Sequence, residues 1–145
     1  MNNSPISKGR RVAGNVLIYL CGAVLIFSSS LKFVHPPAVL AQMNGWGFDS
    51  NGVTLIGVIE LLCALMFLIP STRSIGVLLV SAYFGGAIAT HLEHGQIPQM
   101  FSPTLILFLI CLGSWLRHPA ILWSLGPDRS STMPSVGRVT TAGSV

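Results

Sequence analysis

Charged residues are scarce in this sequence, and their scarcity excludes an ordinary soluble domain. Lys, Arg, Asp and Glu together make up 8% of the 145 residues, whereas a soluble domain carries about 25%. Hydrophobic residues make up 51%, and they come in long blocks with a mean hydropathy of +0.70 for the chain. The net charge of +4 comes from single basic residues near the ends of these blocks. The composition predicts a one-domain integral membrane protein that contacts the lipid bilayer and does not bind nucleic acid.

Cysteine is also rare, and its spacing excludes the common redox and metal motifs. Cys21, Cys63 and Cys111 all lie inside apolar blocks and form no CxxC pair. We expect them to pack as small apolar side chains, without a disulfide or a metal site. The sequence also has no glycine-rich nucleotide loop and no haem ligand pair within the apolar blocks. No catalytic residue is predicted from these motifs.

Four apolar blocks predict an all-α protein, an integral membrane four-helix bundle over residues 12–118. Residues 1–11 form a polar segment before it, and residues 119–145 form a cytoplasmic tail, partly disordered, in which residues 120–125 could extend the last helix. The first block also resembles a signal peptide, but it exceeds the usual 7–15-residue apolar core, so a helix is favoured. The predicted helices span residues 12–34, 52–69, 74–92 and 102–117.

The segment between the first two helices is predicted to lie at the membrane interface. His35-Pro36-Pro37 ends the first helix, because proline disfavours helical geometry in the residue before it. Pro37 can open a new short helix, since its missing N–H is not needed in a first turn. We expect this segment to cover one mouth of the bundle as a lid, with three anchoring side chains: Met43, Trp46 and Phe48.

The basic residues predict the orientation of the bundle. The loops 35–51 and 94–101 contain no lysine or arginine. Every basic residue except Lys32 then lies on the other side, which the positive-inside rule makes cytoplasmic. Both termini are therefore expected in the cytoplasm. The basic residues that support this orientation are Lys8, Arg10, Arg11, Arg73, Arg117, Arg129 and Arg138.

Polar side chains inside the apolar blocks predict a site in the outer half of the bundle. Glu60 is the most informative, because an acidic group at mid-membrane costs roughly 2.5–3.5 kcal/mol and is functional by default. The alternative role of Glu60 is a structural lock formed with Lys32. Lys32 also has an alternative, since its long side chain could extend to the interface without pairing with Glu60. Small residues at four-residue spacing flank these polar groups, as expected on an inward-facing stripe. The predicted site residues are Lys32, Glu60, Tyr83, Thr90 and His91.

Two of these site residues also have simpler interpretations. Tyr83 could be a core aromatic side chain whose hydroxyl bonds a neighbour, and His91 an ordinary histidine at a helix end. His91 and His94 have the spacing of two metal ligands, but no third ligand accompanies them, so no metal site is predicted.

Two stretches resemble the DoxX-like membrane proteins. They are IGVIELLCALMFLIPSTRSIGVLLVSAYFGGAIATHLEHG at 56–95 and SLKFVHPPAVLAQMNGWGF at 30–48. They carry a Glu-Leu pair, a Pro-x-x-Arg turn and a Tyr-x-Gly-Gly-Ala-x-x-Thr-His run. The resemblance implies a small four-helix protein of the bacterial inner membrane. The family takes its name from a subunit of a thiosulfate:quinone oxidoreductase, and most members have no established activity, so the resemblance implies a fold more than a function.

These observations favour a membrane-embedded redox accessory subunit as the function. It would hold a quinone or another small lipid-soluble molecule in the outer half of the bundle and work with a membrane or periplasmic redox partner, or as a homo-oligomer. One alternative is a proton-coupled small-solute transporter or permeability factor, although four short spans without inverted repeats differ from a classical transporter. The other is a structural partner subunit with no chemistry of its own.

Overall fold

The computed structural model describes residues 7–117, and these residues form five α-helices and no strand. The expected tail at 119–145, the extension at 120–125, and Arg129 and Arg138 lie outside the described residues. Four helices are long and one is short. In chain order they are α1 (Lys8–Val34), α2 (Pro37–Gly45), α3 (Ser50–Leu68), α4 (Arg73–Glu93) and α5 (Phe101–Arg117).

The ends of α1 follow from local sequence. The Ser7 hydroxyl accepts a hydrogen bond from the backbone N–H of Arg10 at 3.4 Å, which caps the first turn. The helix therefore begins at Lys8, four residues before the apolar block. It ends at His35, whose backbone is left-handed with φ 55°, directly before Pro36. The side chains of His35 and Thr54 are hydrogen-bonded at 3.0 Å, which ties this end of α1 to α3.

The short helix predicted from the proline pair is present. α2 begins at Pro37, with the proline in the first turn, and Trp46 follows its last residue. Asp49 then caps α3, because its carboxylate accepts a hydrogen bond from the backbone N–H of Gly52 at 2.8 Å. The segment between α1 and α3 is therefore a helix with a defined start and stop rather than an irregular loop.

Arg73 has a structural role that the charge pattern did not reveal. Its side chain is buried, with 6% of its surface exposed. Its Nε donates to the carbonyl of Phe67 and its Nη2 to the carbonyl of Leu68, both at 3.2 Å. These carbonyls belong to the last turn of α3 and have no partner within the helix. The Arg73 guanidinium thus caps α3 from the start of α4.

The four long helices pack in the cyclic order α1, α3, α4, α5, and each is antiparallel to its two neighbours. One end of the molecule holds the last turns of α1 and α4, the first turns of α3 and α5, and α2; we call it the α2 end. The opposite end holds the start of α1 and the end of α5, together with Arg73; we call it the arginine end. Short connections favour this alternation.

Three described helices, α1, α3 and α4, are long and apolar enough to cross a membrane. The fourth long helix, α5, is apolar but has 17 residues, or about 26 Å at 1.5 Å per residue. A hydrocarbon layer is about 30 Å thick, so α5 alone is slightly short. Large apolar side chains are exposed on the outside of all four long helices. Examples are Val16, Phe27, Leu55, Leu62, Leu78, Leu105 and Phe108.

Close packing between α3 and α4 depends on Gly76. A Cβ at this position would lie against the backbone of Met66 and Phe67, which cannot move aside like a side-chain tip. Gly85, on the same helix, has open space where its Cβ would be. The two glycines therefore form a matched pair for testing this packing.

We expect Gly76→Ala to lower the free energy of unfolding by about 1–3 kcal/mol, because overpacking forces the two backbones apart. Alanine is the better helix former by about 1 kcal/mol, so Gly85→Ala should be neutral or slightly stabilising. Thermal unfolding in detergent measures both. Equal stability of the two variants would contradict the close approach of α3 and α4.

Candidate functional site

A buried ion pair joins α1 to α3 near the α2 end. Lys32 Nζ lies 2.7 Å from Glu60 Oε2, and it also donates to the Ser28 hydroxyl at 3.1 Å. Lys32 is 7% exposed and Glu60 is 2% exposed. Glu60 comes ten residues after the start of α3, a depth of about 15 Å. Of the two alternatives for Lys32, snorkelling or pairing, the structure shows pairing.

Gly57 makes room for this pair. It lies one turn before Glu60 on the same face of α3, and a Cβ there would come within 3.0 Å of Lys32 Cβ. The absence of a side chain lets the lysine stem lie directly against α3. The ammonium then reaches the carboxylate, one turn deeper, instead of extending toward the end of the bundle.

The pair satisfies both charges but adds little net stability. Desolvating two ions costs several kcal/mol each, and their attraction roughly offsets that cost only when hydrogen bonds complete the geometry. The Ser28 hydroxyl supplies one such bond to the ammonium. Removing one partner would leave the other charge buried, which is far more costly than removing both.

A cavity of about 310 Å³ opens beside the ion pair; we call it the ion-pair cavity. Four of the five predicted site residues line it, and they come from three helices: Lys32 from α1, Glu60 from α3, and Tyr83 and His91 from α4. Met43 and Trp46 of the predicted lid also contribute to its wall. The fold therefore brings these six residues around one space.

The remaining predicted residues lie around a neighbouring space of about 250 Å³, which we call the apolar cavity. Thr90 and Phe48 line this second cavity and not the first. The Thr90 hydroxyl donates to the carbonyl of Gly86 at 3.0 Å, so its polar group is already satisfied within α4. Met43, Trp46, Tyr83 and Ala87 line both cavities, so they lie between the more polar and the more apolar space.

Trp46 carries a polar group without a partner. Its Nε1 is buried and has no acceptor among the described residues. Its ring meets His91 edge-on, with ring centroids 4.9 Å apart. The His91 Nδ1 in turn pairs with the Gln96 amide oxygen at 3.2 Å. Buried donors are normally bonded, and an orphaned one marks a place where an acceptor belongs.

Four polar residues of this region were not predicted as site residues. Ser28, Gln42 and Ser102 line the ion-pair cavity, and Gln96 holds His91. The sequence did indicate that Ser28 is near Lys32, since it lies four residues before Lys32 on the same helix face. Gln42 lies in α2, Gln96 in the loop before α5 and Ser102 at the start of α5. At these places helical periodicity does not show which residue of another element the side chain will meet.

Within residues 7–117, no three His, Cys, Asp or Glu side chains are close enough to hold a metal ion. His94 uses its Nδ1 for a hydrogen bond with the backbone carbonyl of Thr90, at 2.9 Å, so this nitrogen is not available as a metal ligand. Cys21 and Cys63 are buried and Cys111 is half-buried, all as free thiols. The chemical groups of the site are therefore an ammonium, a carboxylate, an imidazole, a phenol and an indole N–H.

Replacing Lys32 or Glu60 singly by Met should lower the free energy of unfolding by roughly 3–5 kcal/mol, because the remaining ion is buried and unpaired. The double variant should recover most of that loss. Lys8→Met is the matched control, since Lys8 is exposed, and it should change stability by less than about 0.5 kcal/mol. Thermal unfolding in detergent measures the cycle, and additive single effects would contradict the pair.

Comparison with known proteins agrees with the resemblance drawn from the sequence. Residues 16–114 match the DoxX-like family, a range that includes the ion pair, both cavities and most of the four long helices. No curated protein and no solved structure matches the sequence. The family match covers more than half of the chain, and three helices are long and apolar enough to span a membrane. This protein therefore belongs to the DoxX-like family and is a multi-pass membrane protein.

Proposed function

We propose that α1, α3, α4 and α5 form a four-helix bundle that crosses the bacterial inner membrane with both termini in the cytoplasm. The distribution of charge supports this orientation. Lys8, Arg10, Arg11, Arg73 and Arg117 all belong to the arginine end, and basic residues next to spans remain on the cytoplasmic side. The α2 end would then face the periplasm, with α2 at the membrane interface.

Reporter fusions test this orientation. A fusion in the loop after Gly95 should give a periplasmic signal, and a fusion directly after Arg73 should give a cytoplasmic one, because basic residues resist translocation. Alkaline phosphatase and green fluorescent protein at the same positions provide opposite readouts. A cytoplasmic signal after Gly95 would contradict the orientation.

We further propose that the two cavities bind a small lipid-soluble molecule with an oxygen acceptor, for which a quinone is the specific candidate. The observation that carries the proposal is the buried, unpartnered Nε1 of Trp46 on the wall between a polar and an apolar compartment. A ligand carbonyl would accept this hydrogen bond, and its apolar part would occupy the apolar cavity.

The residues fit such a group. Trp46 would hold one carbonyl oxygen as a donor, and Lys32, Tyr83 or His91 would supply donors in the ion-pair cavity. Glu60 and Ser28 hold Lys32 in place through two hydrogen bonds, which leaves one N–H of an ammonium for a ligand. His91 lies closer to the α2 end, and its imidazole would stand as a proton carrier between ligand and the aqueous side.

The role that follows is that of a redox accessory subunit. A quinone, when bound, supplies reversible two-electron chemistry. A membrane or periplasmic partner protein would deliver the electrons. This chain's own residues would bind and orient the ligand and move protons.

The alternatives give the ion pair a different role. As a structural partner subunit, the protein would use Lys32–Glu60 only as a lock between α1 and α3, and the distance of 2.7 Å suits that role equally. As a proton-coupled transporter, it would have to protonate Glu60 and break the pair in each cycle. The ligand-binding proposal also gives the Trp46 N–H an acceptor.

Trp46→Phe should weaken binding of a short-chain ubiquinone analogue about three- to tenfold, because it removes one hydrogen bond and keeps the ring against His91. Thermal stability should be unchanged or slightly higher, since a buried unsatisfied donor is lost. Trp115→Phe, the same substitution at the arginine end, is the control and should bind normally. Titration calorimetry with the purified protein in detergent measures the affinities.

Two results would contradict the proposal. One is the absence of saturable quinone binding to the wild-type protein. The other is an equal affinity of the wild-type and Trp46→Phe proteins, which would place the ligand elsewhere.

A further inference from the structure

Three arginines from three different helices meet at the arginine end, far from the cavities. They are Arg10 from the first turn of α1, Arg73 from the first turn of α4 and Arg117 from the last turn of α5; we call them the arginine cluster. Arg73 lies near Arg117 and carries a charge of the same sign. A cluster of like charges at the end of a helical bundle needs a source of neutralisation.

Every partner of the cluster that the structure describes is neutral. The Arg10 guanidinium lies 4.6 Å from the centre of the Trp115 ring, and its Nη2 donates to the Trp115 carbonyl at 3.4 Å. Arg117 donates to the side-chain oxygen of Asn15. Arg73 donates to two carbonyls of α3. These contacts hold the three side chains in place without cancelling any of their charge.

No carboxylate among residues 7–117 is available at this end. The acidic residues in that range are Asp49, Glu60 and Glu93. Asp49 and Glu93 flank helices at the α2 end, and Glu60 is paired with Lys32. The single salt bridge in the described part of the chain is that pair.

Two donors of the cluster are buried and have no acceptor in the described residues: the Nε–H of Arg10 and the Nε–H of Arg117. An arginine presents its Nε–H and one terminal N–H as a parallel fork that matches two oxygens of a phosphate or carboxylate. Arg10 Nη2 already donates to the Trp115 carbonyl and Arg117 Nη1 to the Asn15 side chain, so the Nε–H is the donor left over in each residue. An oxyanion would supply both the acceptor and the negative charge that the described residues lack here.

We propose that the arginine cluster binds the phosphate group of an anionic membrane lipid. The cluster lies where the apolar helices end, which is the depth of lipid head groups. Trp115, 46% exposed and stacked on Arg10, presents an aromatic surface at the same level. Val12 and Val16 are exposed on the neighbouring turns of α1 and would contact the acyl chains. Basic pockets between membrane helices bind head groups of this kind.

This site is separate from the cavity site in location and in ligand. It needs neither a quinone nor the Lys32–Glu60 pair, so its test does not depend on the proposed redox role. Its ligand could be a lipid phosphate or free phosphate, and the two are distinguished by experiment.

The test is native mass spectrometry of the purified full-length protein with phosphatidylglycerol, cardiolipin or phosphatidylcholine added in detergent. We expect retention of the two anionic lipids and little retention of phosphatidylcholine. Arg10→Gln should reduce retention of the anionic lipids about five- to tenfold, because each basic contact contributes modestly to head-group binding. Arg11→Gln removes the same charge from an exposed side chain of the same turn and should bind like wild type.

A second variant covers the case in which Arg10→Gln fails to fold. Arg117→Lys retains the charge but removes the unpartnered Nε–H, and it should also lose lipid retention at unchanged secondary structure. Equal loss in Arg10→Gln and Arg11→Gln would show general charge attraction and overturn the site. Inorganic phosphate that displaces the lipid at millimolar concentration and stabilises the protein equally would overturn the lipid assignment.

Asp128 lies outside the described residues, and it could supply a carboxylate to the cluster. Retention of the anionic lipids by Asp128→Asn at or above the wild-type level supports the proposal, because a competing carboxylate can only lower it; a loss of retention would overturn the proposal.

Discussion

The ion pair between Lys32 and Glu60 is the constraint on which the α2 end of this protein depends. Two charges inside an apolar bundle are tolerable only together, so α1 and α3 must keep the rotation and depth that bring them within 2.7 Å. Gly57 removes the side chain that would stand between the helices. The pair then defines one wall of a cavity that α4 and α2 complete. A bond that contributes little net stability therefore specifies a unique arrangement.

The two ends of the molecule differ in whether their buried charges are neutralised by an opposite charge. At the α2 end the two buried charges are paired, and the buried polar group left over is a neutral donor, Trp46 Nε1. At the other end three arginines are held by neutral acceptors and an aromatic ring, and their charge is uncancelled in the described residues. The first arrangement suits a neutral ligand with an acceptor, and the second suits an anion. This difference separates the proposed site inside the protein from the proposed site at the lipid surface.

The segment around α2 connects local sequence to the cavities. The left-handed residue His35 and the following prolines turn the chain sharply, so that α2 lies beside the start of α3 instead of extending α1. That turn places Met43 and Trp46 on the walls of both cavities. Because α2 contributes no fully buried residue, its packing is weaker than that of the long helices.

Much of this protein follows from the sequence by itself. Apolar blocks, prolines and caps indicate the helices and the short helix after Pro37, because these signals are local along the chain. The motifs of residues 30–95 indicate the DoxX-like family. The rarity of charge in the apolar blocks indicates that Lys32 and Glu60 matter.

Only the tertiary structure decided which groups meet. It paired Lys32 with Glu60, placed Thr90 and Phe48 on the apolar cavity, made Arg73 a cap for α3 and left Trp46 Nε1 without an acceptor. The reason is that contacts between helices depend on their rotation and crossing, which a periodic pattern specifies only to within one face. One face of a helix offers several neighbours, and the packing of all four long helices selects among them.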